Sequence, residues 1–189
     1  LPRTEGISST MLREESQDEV KVGIIGCGRV AQRFPSEAEV VSGINVCGAY
    51  DINSLATTKL TSNHTSIQAY TDLEQLLAFV DAVYIATPHL THYELIKQAL
   101  EAKKHVLCET PMVLDGTQAK ELYALAEQQG CLLMEANKTA HCPAFNHLMV
   151  MIKSGLIGEV VDVEASLSKL WDDNLSLREF DVQQAGGSF

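Results

Sequence analysis

The sequence predicts an α/β fold in which a doubly wound parallel sheet is followed by the start of a second, open-faced α+β domain. From residue 20 onward, apolar runs alternate with amphipathic segments, which is the pattern of a parallel sheet covered by helices. Continuous apolar runs such as AVYIA at 82–86 are typical of strands buried on both faces. Residues 159–168 instead alternate between apolar and polar side chains, which predicts a sheet with one face in water. The predicted division is a polar tail at 1–19, a parallel α/β domain at 20–139 and the start of another domain at 140–189.

Five strands and five helices are predicted in order along the chain. The strands are the apolar runs at 21–25, 45–51, 82–87, 105–109 and 131–136. The helices, where apolar residues recur at helical spacing, are 54–62, 73–79, 92–102, 117–129 and 143–154. Asp115 or Thr117 is expected to cap the fourth helix and Gly130 to end it. Pro35 is expected to limit or bend the helix that follows the first strand.

The first strand runs into a glycine-rich turn, VGIIGCGRVA at 22–31, and the second strand ends in an acid, CGAYD at 47–51. This is the dinucleotide-binding fingerprint of a Rossmann fold, with alanine in its last small position. Gly26 permits a sharp turn off the strand, and Gly28 lets the backbone approach a pyrophosphate closely. Ala31 is small enough for the next helix to pack on the strand.

Backbone N–H groups and the acid complete the predicted dinucleotide site. The helix start at Arg29 and Val30 offers N–H groups to the phosphates. Asp51 falls where a carboxylate accepts hydrogen bonds from the adenosine ribose, and it would repel a 2′-phosphate. NAD is therefore the preferred cofactor, while NADP stays open because three nearby polar residues could hold a phosphate: Asn53, Ser54 and Lys59. The alternative to this interpretation is an incidental glycine turn in an unrelated fold.

Composition argues against several other classes of function. The 189 residues are 46% hydrophobic and 21% charged, which is enough apolar material for a core. A net charge of −11 argues against a nucleic-acid partner, because such partners normally need a basic face. No apolar run long enough to span a bilayer is found, and no secretory signal pattern, so no membrane association is expected. The five cysteines form no C-x-x-C pair, and several of them lie in apolar strand-like runs and are interpreted as buried free thiols, which favours the reducing cytoplasm.

Four motifs, in this order, resemble the Gfo/Idh/MocA oxidoreductases, the family of glucose–fructose oxidoreductase and inositol dehydrogenase. They are the glycine turn at 22–31, DAVYIATPHLTH at 81–92, ALEAKKHVLCETP at 99–111 and SGLIGEV at 154–160. The second resembles the family's strand and loop along the cofactor, and the third resembles the lead into its glutamate–lysine–proline motif. The fourth resembles the entry to the family's second domain.

The resemblance implies a Rossmann domain followed by an α/β domain whose open sheet often builds an oligomer interface, so a homo-oligomer is expected. Members usually move a hydride between a nicotinamide ring and a sugar, cyclitol or related alcohol carbon, so the expected substrate is a small molecule. The glycine turn and Asp51 are implied to bind the adenosine half of the cofactor. The residues implied for the nicotinamide half are Thr87, Pro88, His92 and Glu109, the last beside the ribose.

Two departures from the family pattern bear on catalysis. Thr110 stands where the family has a lysine that stabilises a developing alkoxide, and a threonine hydroxyl carries no charge. The family's aspartate–histidine pair follows a segment resembling GGSF at 186–189, so the chain is expected to be part of a longer polypeptide. We hypothesise that Lys138, after the fifth predicted strand, supplies the missing charge in the substrate cleft. A solvent-facing lysine is the alternative.

Other chemically capable residues are interpreted as structural. No metal site is predicted, because no zinc spacing is matched by His89, His92, His141, Cys142 and His147. Cys27 could be a reactive thiol at a helix start, but it is interpreted as a small packed side chain. Tyr84 lies in a buried-strand run and is expected in the core.

The sequence therefore predicts an NAD(P)-dependent oxidoreductase acting on a small sugar, polyol or related carbonyl compound. One alternative is a nucleotide-binding regulator or sensor on the same fold that has lost hydride chemistry, which Thr110 favours. Another is a reductase of the biliverdin reductase type, which shares this fold and also lacks the lysine. The glycine turn is neutral between these functions.

Overall fold

The computed structural model describes residues 19–166 and residue 168. At its centre lies a six-stranded parallel sheet. The strands are β1 (Val20–Ile25), β2 (Ile44–Tyr50), β3 (Gln68–Tyr70), β4 (Ala82–Ile85), β5 (His105–Cys108) and β6 (Leu133–Glu135). Their order is β3-β2-β1-β4-β5-β6, and every neighbouring pair is parallel. This is the strand order of a Rossmann fold, so the predicted parallel, doubly wound class is confirmed.

Helices pack against the sheet around two hydrophobic clusters. They are α1 (Phe34–Ala38), α2 (Ser54–Asn63), α3 (Leu73–Phe79), α4 (His92–Glu101), α5 (Gly116–Gln129), α6 (Lys138–His141) and α7 (Pro143–Lys153). One cluster includes Leu76, Ile96 and Leu122 of α3, α4 and α5, and the other includes Leu60 and Tyr84. Because hydrophobic core lies on both faces of the sheet, the central strands have continuous apolar runs. No helix within the described ranges has the length and apolar character that crossing a membrane requires.

The predicted caps of α5 are confirmed. Asp115 accepts a hydrogen bond from the Thr117 backbone N–H at 2.8 Å, which satisfies one of the free donors of the first turn. At the other end, Gly130 has φ +67°, a left-handed conformation that glycine adopts without steric cost. These two residues place the ends of α5 within one residue of the prediction.

The observed elements differ from the prediction near the first and third strands. The segment after the glycine turn is a short 3-10 helix, Ala31–Arg33, followed by the five-residue α1 with Pro35 in its first turn. Proline is tolerated in this first turn, because the N–H that it lacks would have no partner within the helix. Strand β3 was not predicted, since it has only three residues and two of them are exposed on an edge.

The predicted open-faced strand is wrong for the residues that the structure describes. Helix α7 forms as predicted, but residues 159–166 adopt no strand and are exposed throughout. Alternation indicates which side chains would share a face, but a strand also needs a hydrogen-bonding neighbour, and none of the six described strands pairs with this segment. Residues 186–189 lie outside the described residues.

Candidate functional site

A cleft of about 750 Å³ lies at the carboxyl ends of the central strands. It is bounded by the segments that follow β1, β2, β4 and β5. The chain passes from β1 outward to β2 and β3, then crosses to β4 on the other side of β1, so the connections diverge at this point. Open α/β sheets bind ligands in such crevices, where the strand order reverses. The lining residues on which the following arguments depend are Gly26, Gly28, Asp51, Thr87, Glu109 and Thr110.

The protein atoms around position 26 require a glycine there. Its φ is +91°, and a Cβ there would lie 2.6 Å from Thr87 Cγ2 and 2.8 Å from the Ala86 carbonyl oxygen. Its N–H donates to the Tyr50 carbonyl at 2.8 Å, which ties the turn to the end of β2. The turn after β1 therefore passes between β2 and the loop after β4 with no room for a side chain.

At position 28, by contrast, the surrounding protein atoms do not require a glycine. Among the described residues, no heavy atom other than its chain neighbours lies within 4 Å of the position of a Cβ at Gly28. Its φ is not positive, so other residues could adopt its backbone conformation. Gly28 is exposed and lines the cleft, so a side chain there would occupy only the space of a ligand.

The Asp51 carboxylate is held at the cleft wall by two backbone donors. Its Oδ2 accepts from the Cys27 N–H at 2.7 Å, and its Oδ1 accepts from the Asn53 N–H at 2.8 Å. The first bond fixes the acid to the glycine turn, and the second fixes it to the start of α2, which Asn53 caps. Each oxygen keeps a further lone pair, so the carboxylate can still accept hydrogen bonds from a ligand.

Glu109 and Thr110 line the far side of the cleft, beyond the end of β5. The Tyr84 hydroxyl donates to Glu109 Oε1 at 2.6 Å. Tyr84 is 4% exposed, which confirms it as a core residue. Its burial, with the hydrogen bond to Glu109 and the charge of that residue, raises the pKa of Tyr84 well above its ordinary range. Thr110 is exposed next to Glu109 and brings a hydroxyl but no charge.

His92 lies behind the cleft wall rather than in it. Its side chain is fully buried, and its ring nitrogens lie 2.9 Å from the Thr87 carbonyl and 3.0 Å from the Pro111 carbonyl. The ring therefore links the loops after β4 and β5, and the nearness of His92 to the nicotinamide stays a prediction. Its burial follows from its position as the first residue of α4, where that helix packs on the sheet.

Two other candidates also stand apart from the cleft. Ala31 is fully buried and acts through packing, as its small size predicts. Lys138 is the exposed first residue of α6 and does not line the cleft, so the structure does not bring it together with Thr110. Of the remaining predicted contacts, Arg29, Val30 and Pro88 do line it.

Sequence reasoning missed two apolar residues of the cleft. Ile52 is 93% exposed and Leu90 is 62% exposed, and they follow β2 and β4. An isoleucine between an acid and a helix cap is a weak signal, because single exposed apolar residues are common. Within the described ranges, no group of three or more His, Cys, Asp or Glu residues could hold a metal ion.

Cys27 is a packed side chain and not an activated thiol. It is 2% exposed, and burial raises the pKa of the Cys27 thiol to about 11, with the charge of Asp51 acting in the same direction. A raised pKa keeps the thiol protonated at neutral pH, so it is a poor nucleophile. The interpretation as a small apolar residue is therefore supported.

This raised pKa predicts a loss of stability in alkali. The protonated thiol is favoured by folding, so its contribution is fully present below the thiol's ordinary pKa of 9.0 and is lost as pH rises towards about 11. We expect urea denaturation to give a lower free energy of unfolding at pH 10.5 than at pH 8. The fall in the free energy of unfolding between pH 8 and pH 10.5 should be smaller in Cys27→Ala, by on the order of 1–2 kcal/mol, because this variant has no thiol to ionise at position 27. Equal pH dependence in both proteins would contradict this assignment.

Comparison with known proteins identifies the family of this chain. Residues 20–137 match the Gfo/Idh/MocA group, described as an oxidoreductase family with an NAD-binding Rossmann fold. The chain belongs to this family. The resemblance inferred from the four sequence motifs is thereby confirmed.

Individual Gfo/Idh/MocA relatives act on sugars and cyclitols. The chain is 34% identical over 152 residues to dTDP-3,4-didehydro-2,6-dideoxy-alpha-D-glucose 3-reductase from Actinomadura kijaniata, covering 79% of this chain and 46% of that protein. It is 30% identical over 131 residues to the NADP(+) scyllo-inositol 2-dehydrogenase of Bacillus subtilis, covering 68% and 40%. A crystal structure of a 3-ketoreductase from Actinomadura kijaniata, with NADP and TDP-benzene, superimposes with a TM-score of 0.67 at 34% identity, covering 75% and 44%. The chain thus spans less than half the length of these relatives.

Proposed function

We propose that the cleft binds a nicotinamide dinucleotide, and that the protein is an oxidoreductase acting on a small sugar, polyol or related carbonyl compound. Gly28 carries this proposal: it is a glycine that no neighbouring atom requires, at the point where a pyrophosphate would meet the backbone. When bound, the nicotinamide ring supplies a hydride acceptor or donor. The side chains of the cleft bind and orient the two halves of the dinucleotide.

The residues at the β2 side of the cleft suit the adenosine half. Asp51 is fixed by backbone donors and keeps lone pairs for the ribose hydroxyls. Ile52 and Leu90 offer apolar surface of the kind that a base would cover.

The β5 side suits the nicotinamide half. β2 and β5 are three strand spacings apart, about 14 Å, so Asp51 and Glu109 stand at opposite ends of the cleft. An extended dinucleotide can reach both carboxylates. Thr87, Pro88 and Thr110 would then lie near the nicotinamide ribose and ring.

The charge of Asp51 favours NAD over NADP. A carboxylate at the adenosine ribose repels a 2′-phosphate, although two relatives carry NADP in their names or crystals. In Asp51→Asn we expect the preference for NADH over NADPH to fall about tenfold, because the like-charge repulsion is removed. Titration of both nucleotides, followed by nicotinamide fluorescence, measures this ratio. An unchanged ratio would contradict the role of Asp51 in selectivity.

The cellular compartment and the oligomeric state are proposed from the cysteines and from exposed apolar side chains. All five cysteines are free, which supports a reducing cytoplasm. Among residues 159–166, the side chains of Val161 and Val163 are 91% and 79% exposed, which supports burial of this segment in a homo-oligomer or against a second domain.

Saturable binding of NADH to the folded protein tests the proposed function. We expect the nicotinamide fluorescence to rise and saturate, and ADP to compete because it carries the adenosine and pyrophosphate groups. A flat titration with both NADH and NADPH would overturn the proposal.

A further inference from the structure

Tyr84 places a hydroxyl of the buried sheet on a carboxylate of the cleft. It is the third residue of β4 and is 4% exposed. A phenol in a buried strand needs a hydrogen-bond partner, and here the partner is Glu109 Oε1 at 2.6 Å. The Glu109 N–H also donates to the Ile85 carbonyl at 2.9 Å. The backbone and the side chain of Glu109 are therefore both fixed to β4.

The tyrosine ring itself is held in place. Phe34 of α1 stacks on it, with ring centroids 4.1 Å apart and planes inclined by 17°. Burial, with the bond and charge of Glu109, raises the pKa of Tyr84 well above its ordinary range, so the hydroxyl keeps its proton at neutral pH. It can therefore donate to the carboxylate, and the stacked rings hold the ring that carries its oxygen.

We propose that Tyr84 is a positioning residue for the nicotinamide side of the cleft: it donates to Glu109 Oε1 and leaves Oε2 to accept a hydrogen bond from the dinucleotide. This inference rests on the proposed function. Without the phenol, Glu109 loses the bond that fixes its rotamer. Tyr84 thus acts through Glu109 and not by contact with the ligand.

The substitution Tyr84→Phe tests this role, because it removes the hydroxyl and keeps the ring that stacks on Phe34. We expect NADH to bind about tenfold more weakly, the effect of losing one charge-assisted hydrogen bond. ADP lacks the nicotinamide and its ribose, so its affinity should be unchanged. Tyr70→Phe is the matched control, since Tyr70 is a buried tyrosine that does not line the cleft.

A second variant, Glu109→Gln, tests whether Tyr84 acts through Glu109. Glu109→Gln should weaken NADH and not ADP, and adding Tyr84→Phe to it should have little further effect on the NADH affinity. Equal loss of NADH and ADP affinity in Tyr84→Phe, or additive losses in the double variant, would overturn the inference. If NADH fails to bind the unmodified protein, the proposed function itself fails. If it binds and Tyr84→Phe binds it equally well, only the role of Tyr84 fails.

Discussion

Gly26→Ala is expected to lose about 3 kcal/mol or more of folding free energy. The added Cβ would meet Thr87 Cγ2 at 2.6 Å and the Ala86 carbonyl oxygen at 2.8 Å, so backbone and not only a flexible side chain would have to move. Overpacking of this kind costs about 1–3 kcal/mol. The positive φ of +91° adds about 1–2 kcal/mol for a residue that carries a Cβ. Such a loss is a large share of the 5–15 kcal/mol that holds typical domains folded.

Urea denaturation of Gly26→Ala measures this loss. Gly28→Ala is the matched control, two residues further along the same turn, and it should unfold at nearly the same urea concentration as the unmodified protein. A Gly26→Ala protein as stable as Gly28→Ala would show that the turn can move away from the loop after β4. The packing argument for Gly26 would then be wrong.

Thr110→Lys is expected to raise turnover of a sugar or polyol substrate by on the order of 10²-fold. The family resemblance implies a lysine here, and removing a charge-assisted donor from a developing alkoxide commonly costs on the order of 10²–10³ in rate. Thr110 is exposed in the cleft beside Glu109, so a longer cationic side chain has room to reach a substrate. Steady-state kinetics of the protein with NAD and a panel of cyclitols and sugars measures the change.

Lys138→Ala is the control for the source of positive charge. Lys138 is exposed at the start of α6, so its removal should leave turnover unchanged. If Lys138→Ala lowers turnover strongly while Thr110→Lys has no effect, then Lys138 supplies the positive charge for catalysis although it does not line the cleft. If neither protein oxidises any substrate but both bind NADH, the regulator or sensor becomes the better interpretation.

The central part of the fold was predictable because local patterns and tertiary structure agree there. Buried parallel strands need continuous apolar residues, and the run at 82–86 contains β4 for that reason. Asp115 and Gly130 act within one turn of α5, so their roles follow from neighbouring residues. Strand β3 depends on pairing with β2 and not on its own three residues, which carry too little apolar pattern.

The cleft was predictable only in part. Gly28 and Asp51 belong to a spaced motif whose geometry is known in general. The bond from Tyr84 to Glu109 joins residues 25 positions apart, and an apolar run around Tyr84 indicates burial but not a partner. The hydrogen-bond partners of His92 could not be predicted either, because only the folded loops bring the Thr87 and Pro111 carbonyls to its ring.

Titration of NADH into the unmodified protein and into Gly28→Ala tests the central claim most directly. A Cβ added at Gly28 would meet no described atom within 4 Å, so both proteins should have the same circular dichroism spectrum and the same melting temperature. We predict saturable binding to the unmodified protein and at least about tenfold weaker binding to Gly28→Ala, because the new methyl group occupies the space of the pyrophosphate. Equal affinity in the two folded proteins would mean that the dinucleotide does not lie against this turn.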